Sequence, residues 1–171
     1  MKHLSINGQS SAYDGSVISR IANQNAMREI GVEQHAYSYF SDKPLTPREC
    51  YDLVAPDELG RAQDWIVDYP TYTPLENMNT FVRYVHHSLH VVYAYIYDLD
   101  CLRYAGYDID QELRLFDGYI VPSLGMRDFL IKELDLPAAR FYVVNPSAYP
   151  YTVSHTGENR GLVYAGNLSE G

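Results

Sequence analysis

Short runs of β-branched and aromatic residues alternate along the chain with segments whose apolar residues recur at helical spacing. Lys2–Ile6 reads as a first strand, followed by the polar loop Asn7-Gly8-Gln9-Ser10-Ser11. Ile18, Ile21, Ala22, Ala26 and Ile30 then form an amphipathic stripe that predicts a helix over Ser16–Ile30. Asp14 or Ser16 would start that helix and Gly31 would close it. Val32–Phe40 reads as a second strand, with Ala36, Tyr37 and Tyr39 facing packing partners. Pro47–Val54 reads as a short helix with proline in its first turn, and Ala55–Gln63 as irregular.

Asp64–Tyr69 is a third strand, stopped by Pro70. Leu75–Leu89 is a helix with Met78, Phe81, Val82, Val85 and Leu89 inward. The run Val91–Ile96 is nearly unbroken in apolar and aromatic character, as in a strand buried on both faces of a parallel sheet. Helical pieces at Asp100–Tyr104 and Ile109–Leu115 lead to a strand at Gly118–Pro122. Ser123 caps a helix to Leu134, and Phe141–Val144 is a sixth strand. Strands alternating with helices predict an α/β fold, a Rossmann-like parallel sheet with helices on both faces. Residues 1–145 make one such domain and 146–160 a proline- and tyrosine-bearing linker. Residues 161–171 begin with the strand-like Gly161–Ala165, the first strand of a second, truncated domain.

Ligands of open α/β sheets bind beyond the carboxyl ends of the strands. The fourth strand stops abruptly there at Asp98, with Asp100 and Arg103 close behind, two carboxylates and a guanidinium where a sugar or nucleotide would sit. The competing reading is that Asp98 or Asp100 caps the next helix and Arg103 pairs with it. The cluster Tyr69-Pro70-Thr71-Tyr72 ends the third strand on the same rim. Backbone N–H groups around Gly8, Ser10 and Ser11 face the same cleft and suit a diphosphate; the competing reading is a plain connecting turn, because Gly8 and Gly15 are too far apart for a dinucleotide fingerprint and no lysine follows as in a P-loop.

A net charge of -9 and a pI near 5.0 argue against nucleic-acid or anionic-membrane surfaces. No apolar run reaches the roughly 20 residues that span a bilayer. Cys50 and Cys101 lack CxxC partners, which favours a reducing compartment. Seventeen tyrosines suit sugar binding, ordinary strands and interfaces alike. His86 and His90 lie one helical turn apart without a third ligand, so no metal site is expected.

Taken in order, DWIVDYPT, YAYIYDLDCLR, FDGYIVPSLGMRDFL and GLVYAGNLS resemble the N-terminal half of bacterial GT-B glycosyltransferases. The group they most resemble is the galactofuranosyltransferase and adhesin-glucosyltransferase family. Asp98 and Asp100 match its aspartate motif, Ser123 and Met126 its "vSxxM", Pro70-Thr71 its "QxPT" turn, and Gly166-Asn167-Leu168 its "AGNL". The resemblance implies an acceptor-side domain of a hexosyltransferase that uses a nucleotide sugar, a UDP-hexose, as donor, with no cofactor or metal. It implies catalytic roles for Asp98 and Asp100 and acceptor contacts at Pro70, Thr71, Tyr72, Tyr97 and Arg103. Donor diphosphate contacts fall to Gly8, Ser10, Ser11, Gly166 and Asn167.

Such an enzyme would build a surface glycan or glycoprotein in the cytoplasm or at the inner membrane face, and this half alone would be inactive. Tyr97 replaces the family's usual histidine and Asp68 stands near its usual glutamine, both on the rim. Two rival readings come from the same residues. Asp98-Leu99-Asp100 is a D-x-D, which suits metal-dependent GT-A transfer. Tyr69, Tyr72, Tyr95 and Tyr97 would serve a non-catalytic carbohydrate-binding or scaffold module. Helices Ser16–Ile30 and Leu75–Leu89 are the candidate contacts of a homo-oligomer.

Overall fold

The computed structural model describes residues 1–6, 15–37, 46–54, 63–71, 73–103 and 111–144. Six parallel strands form one sheet: β1 (Lys2–Ile6), β2 (Glu33–Tyr37), β3 (Trp65–Tyr69), β4 (Val92–Ile96), β5 (Gly118–Val121) and β6 (Phe141–Val143). They are joined by α1 (Gly15–Glu29), α2 (Pro47–Val54), α3 (Leu75–His87), the short α4 (Asp100–Arg103) with a 3-10 turn at Gln111–Leu115, and α5 (Leu124–Leu134). The order across the sheet is β2-β1-β3-β4-β5-β6. Parallel neighbours need right-handed crossovers. Because β1 to β2 runs one way and every later step the other, α1 lies on one face and α2, α3 and α5 on the opposite one. The α/β expectation and its Rossmann-like description hold, with the boundaries of β1, α2 and α5 as read from the sequence.

The two faces differ in chemistry. Trp65, Val67, Tyr69, Val92, Ala94, Ile96, Tyr119 and Val121 point to one side, where Phe81 and Val85 of α3, Val54 of α2 and Leu130 of α5 complete an apolar core. The Trp65 and Phe81 rings meet edge-on at 5.2 Å. Such rings bury about 150–250 Å² each and favour this edge-on arrangement. The Tyr119 hydroxyl keeps its polar end satisfied by donating to the Leu113 carbonyl at 2.8 Å. Gly118 lies on the other face, and a Cβ there would stand 2.7 Å from the Tyr93 ring and 3.2 Å from the Arg140 carbonyl, so a side chain at this position would displace that ring.

Three expectations change. β4 is not dry on both sides: Val92, Ala94 and Ile96 are buried, whereas Tyr93 and Tyr95 are half-buried on the α1 face. Leu89 does not join the inward stripe of α3. The helix stops at His87 and Leu89 turns into the left-handed region (φ 61), 94% exposed. Ile21 of the α1 stripe, and Ile30 just past the helix, do not face inward either. Ile21 and Ile30 are 47% and 80% exposed, and Arg20 and Asn23 point inward instead. The reason lies in the sheet beneath them, which presents polar groups. Gly31 (φ 84) closes α1 as expected. The linker at 146–160 and the strand at 161–171 lie outside the described residues, as do 38–40 of the second strand.

Candidate functional site

The strand order reverses direction between β1 and β3, and in open α/β sheets the crevice at the carboxyl ends of such a pair is where ligands bind. A buried polar cluster lies against this point. Strand alternation puts Ile66 and Asp68 on the face away from Trp65, Val67 and Tyr69, and His3 on the same face of β1. His3 and Asp68 are fully buried, Arg20 7% exposed. The His3 Nε2 is 2.8 Å from Asp68 Oδ1, and its Nδ1 is 2.7 Å from Gln34 Oε1. Gln34 turns its amide nitrogen to the Val32 carbonyl at 3.2 Å, which keeps the oxygen toward His3.

From above, α1 supplies the rest. The Arg20 guanidinium is 3.7 Å from Asp68 Oδ2 and lies over the Tyr97 ring, 4.7 Å from its centroid. A guanidinium at that distance is attracted by the ring's negative face. The Asn23 amide donates to the Tyr97 hydroxyl at 3.3 Å, and the Tyr97 and Tyr95 rings are 4.7 Å apart. Burial first, and the Asp68 charge second, push both phenols above the ordinary tyrosine range. Both hydroxyls therefore stay protonated at neutral pH.

The residues expected at the rim fall into three groups. Pro70, Thr71, Tyr97 and Asp98 are brought together: the Tyr97 N–H donates to the Tyr69 carbonyl at 3.1 Å, joining the ends of β3 and β4. Pro70 and Thr71 are buried, and Thr71 donates its hydroxyl to the Glu112 carboxylate while accepting the Thr73 N–H at 3.2 Å. Their side chains thus shape the rim from within. Asp98 is half-buried, and its carboxylate accepts the N–H of its neighbour Leu99 at 2.9 Å. Asp100 and Arg103 lie on α4, but the arrangement of their side chains lies outside the described residues. So do Tyr72, Gly8, Ser10, Ser11, Gly166 and Asn167.

His3, Arg20 and Asn23 were not anticipated. The signal available was Asp68, a carboxylate in the middle of an apolar strand, which requires buried partners wherever it faces inward. Histidines do not converge at the end of α3: His86 pairs with Asp117 at 2.7 Å and His90 with Asp64 at 3.0 Å. Ser123 caps α5 by accepting the Met126 N–H at 3.1 Å. Among the described residues no helix is long and apolar enough to cross a membrane.

Residues 6–134, from the end of β1 through α5, match a family model described as the N-terminal domain of glucosyltransferase 3-like proteins. No curated protein matches the chain.

Proposed function

Because the chain belongs to the family of glucosyltransferase 3-like N-terminal domains, we propose that it is the acceptor-side domain of a nucleotide-sugar-dependent hexosyltransferase. The transfer is galactofuranosyl or glucosyl, from a UDP-hexose to a cell-surface glycan or glycoprotein. One observation carries the reading: the matched region contains the whole rim at the switch point, from the end of β1 through Pro70–Thr73 to Asp98. In this reading the acceptor lies across the ends of β3 and β4. Asp98, whose half-buried carboxylate stands at that edge, orients the acceptor hydroxyl and draws off its proton as the new C–O bond forms. Asp100 assists from the next turn, and Arg103 and Tyr72 contact the acceptor. Tyr97, its ring fixed by Arg20 and Asn23, also contacts the acceptor. The leaving diphosphate is met by backbone N–H groups at Gly8, Ser10 and Ser11 and by Gly166 and Asn167 of the partner domain. The full enzyme works in the cytoplasm or at the inner membrane face, and this domain alone does not catalyse transfer.

The test is a thermal melt with UDP, UDP-glucose, UDP-galactose and an acceptor glycan, each with and without manganese. A ligand that binds only the native state raises the melting temperature. Acceptor glycan is expected to raise it without metal. A nucleotide shift that needs manganese would instead favour D-x-D chemistry at Asp98 and Asp100. In an enzyme carrying this domain beside its donor-binding half, Asp98→Ala should lower kcat about 10²–10⁴-fold with the melting temperature little changed; unchanged turnover would remove Asp98 from the site.

A further inference from the structure

A second concavity lies away from the rim. It is a groove of about 580 Å³ between the start of α2 and the C-terminal half of α3, lined by Pro47, Thr80, Arg83, Tyr84 and His87. Arg83 and His87 are eight and twelve residues beyond the rim end of α3, about 12–18 Å along the helix. The groove is therefore separate from the proposed acceptor crevice and does not depend on that reading.

Its chemistry is unusual for this chain. The net charge is -9, and the other described histidines each have a carboxylate oxygen close by: His3, His35, His86 and His90 at 2.8, 2.7, 2.7 and 3.0 Å. His87 has none among the described residues. Arg83, exposed one turn before it, likewise has no ion pair or hydrogen bond there. The positions one turn either side of Arg83 hold Asn79, Thr80, His86 and His87, so α3 itself supplies no carboxylate to either group. Glu49, two residues past Pro47, accepts the N–H and hydroxyl of Thr46, each at 2.8 Å. The dipole at the end of α3 favours an imidazolium at His87. It does not account for a guanidinium in the middle of a groove with no counter-charge among the described residues.

Beside the two basic groups the half-buried Tyr84 ring, held edge-on by Tyr51 at 5.5 Å, and Pro47 form an apolar wall. A guanidinium fork matches an oxyanion in two parallel hydrogen bonds, and an aromatic ring with proline suits the flat face of a sugar. The volume lies within the range of about 300–1,000 Å³ that small-molecule sites occupy. We infer that the α2–α3 groove binds a phosphorylated sugar, with the phosphate on Arg83 and His87 and the ring against Tyr84.

Titration calorimetry of the chain with glucose 1-phosphate, glucose, inorganic phosphate, and vesicles of anionic phospholipid tests this. Glucose 1-phosphate is expected to bind more tightly than phosphate or glucose alone. Its affinity should fall about tenfold or more in Arg83→Gln and fall also in Tyr84→Ala, while Asp98→Ala leaves it unchanged. Arg83 is exposed, so the variant should keep the parent's melting temperature. Three outcomes would each overturn the assignment: no binding at millimolar glucose 1-phosphate, binding that Arg83→Gln does not weaken, or binding to vesicles alone.

Discussion

Asp68 ties β3 to both β1 and α1. Its two carboxylate oxygens face His3 and Arg20, all three buried, so its removal leaves basic groups in a dry place without their counter-charge. Breaking such an arrangement from one side is costly, whereas replacing it by packed apolar groups is often neutral. Asp68→Ala is expected to lower stability by about 3–5 kcal/mol in urea unfolding, and Arg20→Met added to Asp68→Leu should recover a large part. Tyr95, Tyr97 and Tyr119 give a second residue-scale test. Burial is the first cause in each case, and it raises these phenols above the usual range in the folded state. On unfolding they return to about 10. Their contribution is complete below that pH and is lost as pH rises through it, because the unfolded chain sheds protons the folded chain keeps. Stability should fall steeply above about pH 10, and less steeply in Tyr97→Phe, as read from urea midpoints across that range.

At the scale of elements, strands and helices were legible wherever side-chain type and punctuation agreed. Pro47 in a first turn, Ser123 as a cap and the β-branched residues of β3 to β5 mark their elements from local physics alone. The facing of α1 was not legible. Ile18, Ile21, Ala22, Ala26 and Ile30 have helical spacing, but spacing identifies a stripe without saying what lies opposite it. The strands below present His3 and Asp68, so the helix turns Arg20 and Asn23 inward and leaves Ile21 and Ile30 in solvent. Asp68 stood out in the sequence; its partners, 48 to 65 residues earlier, did not. The consequence is testable. Helix α3 is held by four buried apolar side chains, Met78, Phe81, Val82 and Val85, whereas the described contacts of α1 with the sheet are chiefly polar. Amide hydrogens of α1 should exchange with deuterium well before those of α3, and the gap should widen little if Ile30 is changed to serine.

Across the whole molecule the two faces of the sheet differ in polarity. One face is closed by α2, α3 and α5 around Trp65, Phe81 and Ile96; the other, with the carboxyl rim, carries the polar cluster and half-buried tyrosines. The strand order puts the switch point between β1 and β3, so the oldest strand in the chain meets one formed more than sixty residues later. His3 reaches Asp68 across 65 positions and Asn23 reaches Tyr97 across 74. Closing such separations costs chain entropy before any contact repays it. The edge made of β4, β5 and β6 involves shorter separations and can assemble earlier. The crevice is therefore closed only across long separations: a chain still leaving the ribosome keeps His3, Arg20 and Asn23 without these partners until β3 and the turn after β4 have emerged.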